Sequence, residues 1–275
     1  MRLEDKVILI TGASRGVGAA CAEACAREGA RLALAAKTVE PHPTLPGTLG
    51  QTADAVRAHG SEALVLPCDV RFEDQVNAMV EQTVAHYGRL DVLINNAGAI
   101  FLSSVAEFPA KRFDLVMGIN VRAAFLASRA AIPHMRAGGG GHVLMMSPPV
   151  NPAAGVSKAP YLISKIGMTV LAQAIDAEEP TIAGTALWPV AGIKTAAVSL
   201  FGMARDRDLR TVDMLSSSTV ALVARDPAEC SFRAWLDEEV LRELEGIDDF
   251  SAYRCDPEHE PEPHSIWLAD PEWKR

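Results

Sequence analysis

The chain has 275 residues, of which 49% are hydrophobic, and a formal net charge of −9. This length and apolar content suit a single α/β domain, whereas the acidic balance disfavours a nucleic-acid binder, which usually presents a basic face. No run reaches the roughly 18 apolar residues of a membrane span, and the N-terminal MRLEDKVILITG does not have a signal-peptide pattern. We therefore expect a soluble cytoplasmic protein with no membrane span and no nucleic-acid partner.

Short apolar runs alternate along the chain with stretches of helical periodicity. The predicted strands cover 6–10, 31–37, 62–70, 90–98, 142–147 and 182–189, and the predicted helices cover 17–28, a stretch ending at 58, 72–88, 112–136 and 159–177. Such alternation predicts right-handed βαβ crossovers, and strands that are apolar throughout predict a parallel sheet covered on both faces. The expected fold class is α/β: a Rossmann-like doubly wound parallel sheet in a three-layer α/β/α, single-domain arrangement.

The C-terminal third is less periodic. We expect the domain to cover 1–245, with a substrate lid at about 196–220 and an acidic extension at 246–275. Apolar residues in the lid region suggest an apolar pocket, although core packing explains them equally well: Leu200, Phe201, Met203 and Met214. The extension carries aromatic residues, which are unusual in a disordered tail: Phe250, Tyr253, Trp267 and Trp273. We therefore expect the extension to pack on its own domain or on a neighbouring subunit.

The cysteines give no sign of a disulfide framework or a metal site. There are five, an odd and scattered set. Cys21 and Cys25 share one face of a predicted helix, but no further His or Cys nearby completes a ligand set. We expect these two side chains to be buried in the core and the protein to bind no metal.

The stretch TGASRGVG, residues 11–18, follows the first predicted strand and opens a helix. Gly12 allows a tight turn, Gly16 lets the backbone approach a pyrophosphate, and Gly18 lets the helix pack close to the strand. The N–H groups at a helix N-terminus favour an anion there. The strand–loop–helix context therefore predicts a dinucleotide site.

The spacing of this loop resembles the TGxxxGxG motif of the short-chain dehydrogenase/reductase family. NNAG at 95–98, Tyr161-x3-Lys165 and Asn120 resemble three further motifs of that family, in the same order along the chain. AAKTVEPHPTLPGTL, MSPPVNP and ALWPVAGIKTAA resemble the branch that contains hydroxysteroid dehydrogenase-like protein 2, here expected without the sterol-carrier domain of some members. The resemblance implies a nicotinamide cofactor, hydride transfer, and assembly as a homodimer or homotetramer. It also implies cofactor contacts from these residues: Gly12, Ser14, Arg15, Gly16, Val17, Gly18, Lys37, Asp69, Val70, Asn96, Ala97, Gly98, Tyr161, Lys165, Ile193 and Thr195.

The end of the second strand bears on the choice between NADP and NAD. A dinucleotide fold often carries an acid there for the ribose 2′-hydroxyl, but this strand ends Ala35-Ala36-Lys37. Arg15 and Lys37 can face a 2′-phosphate instead, so we expect NADP(H) to be preferred and NAD(H) to be possible. The alternative is that both are ordinary solvated side chains. Asp69 matches the family's adenine contact, and an N-cap of the next helix is an equally good explanation.

Tyr161 and Lys165 lie four residues apart and therefore on one face of a helix. An unperturbed Tyr has a pKa near 10, and a nearby ammonium favours its phenolate. Tyr161 can then exchange a proton with an alcohol or carbonyl oxygen, as a general acid or base. The alternative is a packed aromatic ring beside a surface lysine. The resemblance implies that Asn120 holds its helix in shape and anchors a water linked to Lys165; the alternative is a polar residue bonded to backbone.

Ser147 is the candidate for the substrate-binding serine. In most family members this serine lies twelve to thirteen residues before the tyrosine, but thirteen residues before Tyr161 stands Pro148. We favour a local bulge through which Ser147 still reaches the substrate oxygen. The alternative is a site that lacks this hydrogen bond. Further along, Trp188-Pro189 stands where many members have Pro-Gly after a small residue.

The function expected from these features is an NADP(H)-dependent oxidoreductase acting on an apolar alcohol, aldehyde or ketone, with Tyr161, Lys165, Asn120 and Ser147 as its catalytic residues. Pro148 favours an alternative, a catalytically impaired protein that binds a nucleotide in a regulatory or scaffold role. A lyase or epimerase on the same fold is a third hypothesis, because a fold does not fix a function.

Overall fold

The computed structural model describes residues 1–149, 158–200 and 204–263, with no side-chain description for Ala197. The elements, in chain order, are β1 (Val7–Thr11), α1 (Gly16–Arg27), β2 (Arg31–Ala36), α2 (Leu49–Ala58), β3 (Ala63–Pro67), α3 (Glu73–Tyr87), β4 (Val92–Asn95), α4 (Ala110–Met117), a π-helical turn (Gly118–Arg122), α5 (Ala123–Ala137), β5 (Gly141–Met146), α6 (Ala159–Glu178), β6 (Ile182–Trp188), β7 (Gly192–Ile193), α7 (Ala196–Leu200), β8 (Leu209–Arg210), α8 (Asp213–Val223), β9 (Ala234–Leu236) and α9 (Asp237–Glu245).

Within the described residues, seven parallel strands form one sheet in the order β3-β2-β1-β4-β5-β6-β9. The order reverses between β1 and β4, and ligands of such sheets bind at this switch point, beyond the carboxyl ends of the strands. The predicted doubly wound parallel fold is confirmed. β7 and β8 form a separate two-stranded parallel pair.

The sheet is covered on both faces, as its continuously apolar strands predict. Successive strand residues point to opposite faces, so Ile8 and Ile10 join one apolar cluster while Val7 and Leu9 join the other. The first cluster includes residues of α1, α2 and α8, and the second includes residues of α3, α5 and α6. These two clusters are the interfaces between the sheet and the two helix layers of the three-layer arrangement.

The stretch Ala110–Ala137 is long and apolar enough to cross a membrane by length and composition, and 44% of its most apolar window is buried inside the protein. This stretch runs from α4 through the π-helical turn to α5, whose Leu126 and Ala131 belong to the core. A core helix passes the same test of length and composition, so this feature is weak evidence for a membrane span.

The segment expected to form a lid at about 196–220 is divided by the structure. Residues 213–220 belong to α8, which packs against α1, and Met214 is fully buried in the core. Leu209 and Arg210 of β8 are buried as well, and Phe201 and Met203 lie outside the described residues. Leu200 is half exposed, at 50%.

Arg210 joins the C-terminal segment to the domain. Its guanidinium is only 2% exposed, and it donates to Glu238 at 2.7 Å, to Glu260 at 2.6 Å and to the Phe250 carbonyl at 3.2 Å. Backbone bonds run beside it, from Thr211 N–H to the Tyr253 carbonyl at 2.7 Å and from the Cys255 N–H to the Leu209 carbonyl at 3.1 Å. Trp267 and Trp273 of the extension lie outside the described residues.

Replacing Arg210 with methionine is expected to lower the free energy of unfolding by roughly 3 kcal/mol, because it leaves a largely buried carboxylate without its main partner. Chemical denaturation monitored by circular dichroism measures this loss. The matched control is Arg242→Met, which removes an arginine that also pairs with Glu238 but is 47% exposed. The control should cost no more than about 1 kcal/mol. Equal losses in the two variants would contradict a structural role for the buried cation.

Candidate active site

The glycine loop is built by close contacts that no larger residue would allow. Gly12 has φ +70°, and a Cβ on Gly18 would lie 2.4 Å from the Gly12 carbonyl oxygen. Such a contact excludes a side chain at Gly18, so α1 approaches the end of β1 only because glycine stands there. The Asn96 amide donates to the carbonyls of Thr11 and Gly12, at 3.0 and 3.2 Å. The Thr11 hydroxyl accepts from the N–H groups of Asn96 and Ala97, each at 3.1 Å.

A cleft of about 420 Å³ opens at this switch point. Residues at the carboxyl ends of β1 to β4, together with two residues of the α4 and π-helical region, line it: Gly12, Ser14, Arg15, Ala36, Lys37, Thr38, Cys68, Asp69, Val70, Asn96, Ala97, Gly98, Ala99, Leu115 and Ile119. Nine of the residues predicted to contact a cofactor are among them: Gly12, Ser14, Arg15, Lys37, Asp69, Val70, Asn96, Ala97 and Gly98.

The other predicted cofactor residues lie around the cleft rather than in its wall. Gly16, Val17 and Gly18 form the first turn of α1. The Thr195 methyl group lies 3.6 Å from the position of a Cβ on Gly16, and Ile193 is buried in β7. The structure thus brings Thr195, from far along the chain, to the glycine loop.

The sequence analysis missed several residues of the wall, namely Ala36, Thr38, Cys68, Ala99, Leu115 and Ile119. Leu115 and Ile119 are four residues apart on one helix face, which the sequence does show, but helical spacing does not tell which side faces a cleft. Thr38 directly follows the predicted Lys37, so its position was the easiest of these to find.

Basic and acidic groups meet at the end of the cleft beyond β2 and β3. Arg15 donates to the Gly47 carbonyl at 3.0 Å, and Lys37 is exposed. Asp69 pairs with Arg71, with Arg71 Nη2 and Asp69 Oδ2 2.5 Å apart, and this bond holds the pKa of Asp69 below its usual range. The N-cap of α3 is Phe72, so Asp69 is not that cap.

Tyr161 and Lys165 lie in the first two turns of α6, and both are buried, at 6% and 5% exposure. Lys165 Nζ donates to the Met146 carbonyl at 2.7 Å and lies 3.7 Å from the position of a Cβ on Gly98. It therefore stands directly behind the wall of the cleft. The motif residues of β4, β5 and α6 converge at this point.

Burial shifts the pKa values of these two groups in opposite directions. It lowers the pKa of Lys165 to about 8 and raises the pKa of Tyr161 well above its usual range. Both shifts favour the neutral form, because desolvation penalises charge. The expected lowering of the Tyr161 pKa by Lys165 therefore stays a prediction.

Asn120 is fully buried in the π-helical turn Gly118–Arg122. Its side-chain oxygen accepts from the Ala99 N–H at 2.7 Å, and its amide donates to the Ala99 carbonyl at 3.0 Å and to Ser164 Oγ at 2.9 Å. π-Helical turns within α-helices frequently mark functional sites. Asn120 thus ties the widened turn to the cleft wall on one side and to α6 on the other.

Ser147 is fully buried at the interface with α6, and its Oγ lies 3.0 Å from Thr169 Oγ1, two turns beyond Tyr161 along α6. The Thr169 hydroxyl donates to the Pro148 carbonyl at 2.6 Å. The favoured bulge, through which Ser147 would reach a substrate oxygen, stays a prediction.

An apolar wall stands beside Tyr161. Tyr161, Val116 and Leu162 form a buried cluster against which further partly buried side chains pack: Ala99, Phe101, Phe108, Ile166 and Trp188. The rings of Phe101 and Phe108 meet edge to face, with centroids 5.0 Å apart. Tyr161, the predicted acid and base, therefore lies next to aromatic surface.

A family model described as short chain dehydrogenase matches residues 6–191. The chain belongs to the short-chain dehydrogenase family. It is 40% identical to hydroxysteroid dehydrogenase-like protein 2 of Xenopus tropicalis over 262 residues, which are 94% of this chain and 62% of that protein. The chain thus spans about three fifths of the length of this relative.

Solved structures agree with this assignment. A short chain dehydrogenase from Mycobacterium thermoresistibile has a TM-score of 0.89 and 36% identity, covering 98% of each chain. A short chain dehydrogenase from Mycobacterium paratuberculosis bound to NAD has a TM-score of 0.73 and 25% identity, covering 86% of this chain and 98% of its own. The predicted family is confirmed.

The residues of this short-chain dehydrogenase fit the nicotinamide dinucleotide that its family uses. Gly12, Ser14 and Arg15 line the cleft just before α1 begins, where the N–H groups of a helix N-terminus favour a pyrophosphate. The cleft extends from the basic end at Lys37 to Gly98, behind which Lys165 lies. A dinucleotide of two linked nucleosides matches that elongated, strand-end shape.

Proposed function

We propose that this short-chain dehydrogenase is an NADP(H)-dependent oxidoreductase that interconverts an alcohol and a carbonyl on an apolar small molecule, with Tyr161 as acid and base. One observation supports the proposal: Lys165 Nζ lies 3.7 Å from the Cβ position of Gly98 in the cleft wall, and Tyr161 is one turn away from Lys165 on α6. A nicotinamide cofactor bound there supplies or takes the hydride.

In the reducing direction, Tyr161 donates its phenolic proton to the substrate oxygen as the carbonyl becomes an alcohol. Burial keeps this phenol protonated at neutral pH, which suits a general acid. The phenolate left behind is favoured by the ammonium of Lys165, one turn along the same helix face. In the oxidising direction Tyr161 takes the alcohol proton, which requires the positive charge of Lys165 to compensate for burial.

Asn120 and Ser164 support this pair from behind. Ser164 Oγ donates to the Tyr161 carbonyl at 2.7 Å while accepting from the Asn120 amide. This chain of bonds fixes the first turn of α6 against the π-helical turn. We assign Asn120 to positioning α6, and the water that the family pattern implies remains a prediction.

The charges at the far end of the cleft support a preference for NADP(H). Among the described residues of the cleft wall, Asp69 is the acidic one, and Arg71 already pairs with it. Arg15 and Lys37 are the basic ones, and Lys37 is exposed at the end of β2. A 2′-phosphate is attracted to such a pair, whereas the residue directly after β2 is Lys37 rather than a carboxylate that accepts from a 2′-hydroxyl.

The aromatic wall beside Tyr161 supports an apolar substrate. Phe101, Phe108 and Trp188 offer ring surface rather than charged groups to a bound molecule. Steroids, fatty aldehydes, terpenoids and small ketones all have apolar bodies that suit such surface. A second candidate function, a nucleotide-binding protein with impaired catalysis, is favoured by the buried position of Ser147.

We further propose self-association and a cytoplasmic location. Phe125 of α5, at 45% exposure, and Ile163 and Val170 of α6, at 53% and 52%, are large apolar side chains exposed on neighbouring helices. Burying them in a homodimer or homotetramer would remove apolar surface from water. The five cysteines are free thiols, as is usual in a reducing compartment.

Tyr161→Phe is expected to lower turnover by about 10² or more, because it removes the exchangeable proton. NADPH affinity should change little. The matched comparison is Ser147→Ala, which removes a hydroxyl that is buried against Thr169. We expect it to cost stability of about 1 kcal/mol and to leave turnover within a few-fold of the original.

Steady-state absorbance of NADPH with a panel of aldehydes and ketones measures these rates, and fluorescence titration measures NADPH binding. Unchanged turnover in Tyr161→Phe would rule out the mechanism. A loss of about 10² in Ser147→Ala is what removal of an oxyanion donor costs, and it would show that Ser147 turns toward the substrate. NADPH binding without turnover on any substrate would favour the second candidate function.

Lys37→Ala is expected to weaken NADPH binding by about 10-fold or more and NADH binding far less, because a charge-assisted bond to the 2′-phosphate is lost. Fluorescence titrations at one fixed ionic strength measure the Kd of each dinucleotide in the variant relative to its Kd in the wild type. Arg57→Ala is the control, since Arg57 is a 52% exposed basic residue of the nearby α2. Equal weakening of NADPH and NADH would contradict the 2′-phosphate assignment.

Phe125→Glu is expected to reduce the molar mass in solution to that of a smaller assembly, because a buried charge at an interface is costly. Light scattering after size-exclusion chromatography at several concentrations measures that mass. Val105→Glu is the control, as Val105 is 74% exposed and lies outside α5 and α6. A monomeric wild-type protein at every concentration would refute self-association.

A further inference from the structure

Trp188 ends β6 beside the proposed catalytic pair. It is partly buried and packs against the cluster formed by Tyr161, Val116 and Leu162. Its ring centroid lies 5.4 Å from Lys165 Nζ. An ammonium within about 6 Å of an aromatic centroid is attracted to the ring face, and indole is the strongest of the aromatic partners.

The buried surroundings of Lys165 strengthen its contact with the Trp188 ring. Its ammonium is almost fully removed from water, donates to the Met146 carbonyl at 2.7 Å and lies 3.8 Å from the Met168 sulfur. Neither partner carries a formal charge, so the indole face adds a favourable electrostatic contact in a place where bulk water supplies little. Aromatic contacts of this kind gain strength when the cation is desolvated.

Among the described residues, few charged groups lie near enough to compete with this contact. Tyr161 is the titratable side chain one turn away on α6, and burial raises its pKa well above its usual range, so it stays neutral where Lys165 titrates. Lys158 stands at the N-cap of α6, about two turns from Lys165. The groups that face Lys165 from β5, β6 and the NNAG loop are the Met146 carbonyl, the Trp188 indole and Gly98.

We propose that Trp188 is a positioning residue that holds Lys165 in its protonated form beside Tyr161 through the face of its indole ring. The consequence for catalysis rests on the proposed function, because a neutral Lys165 would no longer favour the phenolate of Tyr161. Trp188 would then extend the pH range in which the pair works in the oxidising direction. The contact itself is a property of this chain and needs no ligand.

The test is an NMR titration of the Lys165 side chain in the protein without added ligand. The ¹³Cε resonance of labelled lysine reports its protonation, and Lys165→Arg assigns the signal. Burial lowers the pKa of Lys165 to about 8, so the wild-type midpoint falls in an accessible range. In Trp188→Leu the midpoint should fall by a further 0.4 to 1.5 pH units, roughly the free energy of a cation–π contact. Trp188→Phe, which keeps an aromatic face, should recover at least half of that shift.

Trp235→Leu is the matched control. Trp235 lies on the adjacent β9, is 6% exposed, and stacks on Arg233 at 3.7 Å, so its loss removes a comparable ring from the same sheet. Far-UV circular dichroism establishes which variants are folded. If Trp188→Leu does not fold, the Lys165 midpoint of Trp188→Phe is compared with that of the wild type instead. The control should leave the Lys165 midpoint unchanged.

Three outcomes would overturn the proposal. An unchanged midpoint in Trp188→Leu would show that the ring does not act on Lys165. A raised midpoint would show that Trp188 acts by excluding water, since admitting water favours the ammonium. A shift in Trp188→Phe equal to that in Trp188→Leu would show that the aromatic face is not what matters.

The pH dependence of alcohol oxidation by the same variants then separates this proposal from the proposed function. If the proposed function holds, the alkaline limb of the rate profile, where Lys165 loses its proton, should move to lower pH in Trp188→Leu and largely return in Trp188→Phe. If no alcohol is oxidised by the wild type, the proposed function fails while the NMR result still decides the role of Trp188.

Discussion

The junction of β1, α1 and β4 is the constraint on which the rest of the site depends. Gly18 must lie against the Gly12 carbonyl for α1 to pack near the sheet, and the Asn96 amide bridges the carbonyls of Thr11 and Gly12. This bridge joins two strands at the place where the sheet order reverses. The cleft therefore exists because two sequence motifs that are about 80 residues apart satisfy each other's backbone groups.

Burial is the second constraint, and it acts on both members of the catalytic pair. A phenol and an ammonium removed from water both tend toward neutrality, so the apolar surroundings that suit an apolar substrate oppose the charges that proton transfer creates. The chain offsets this cost for Lys165 with the Met146 carbonyl and the indole of Trp188. For Tyr161 the offset must come largely from Lys165 and from bound ligand, which links protonation of the pair to occupancy of the cleft.

The parts of the fold that the sequence predicted well are those where apolar pattern and burial coincide. Five of the first six strands are almost wholly buried and the edge strand β3 partly so, and their mainly apolar runs placed each to within a few residues. Helix α8 was missed because its region shows little periodicity and serines interrupt the apolar residues of DMLSSSTVALV. Its hydroxyls are satisfied locally, as Ser218 Oγ donates to the Met214 carbonyl at 2.9 Å, and this lets a serine-rich helix enter the core.

In the candidate site, the sequence pattern predicted which residues come together, but it did not predict the direction of every side chain. The spacing of the sequence motifs predicted the positions of Gly12, Asn96, Asn120 and Lys165. Each of these residues makes a hydrogen bond that involves the backbone of a neighbouring element. The direction of Ser147 depends on a single residue at a strand end, where its N–H bonds to the carbonyls of both Met145 and Leu187 and its hydroxyl turns to Thr169. A count of residues from Tyr161 cannot resolve that turn, since one step along a strand changes the face.

The segment between β6 and α8 is held in place from outside the cleft. The carboxylate of Asp237, at the start of α9, accepts from the Val190 N–H at 2.9 Å, just beyond Trp188. Further along, the Lys194 N–H donates to the Arg210 carbonyl at 2.8 Å, and the Arg210 guanidinium is held by Glu238, Glu260 and the Phe250 carbonyl. Ile193 and Thr195 therefore owe their place beside the glycine loop to C-terminal residues that do not line the cleft. Sequence differences in that C-terminal part would alter the nicotinamide end of the site without changing a residue of the motifs.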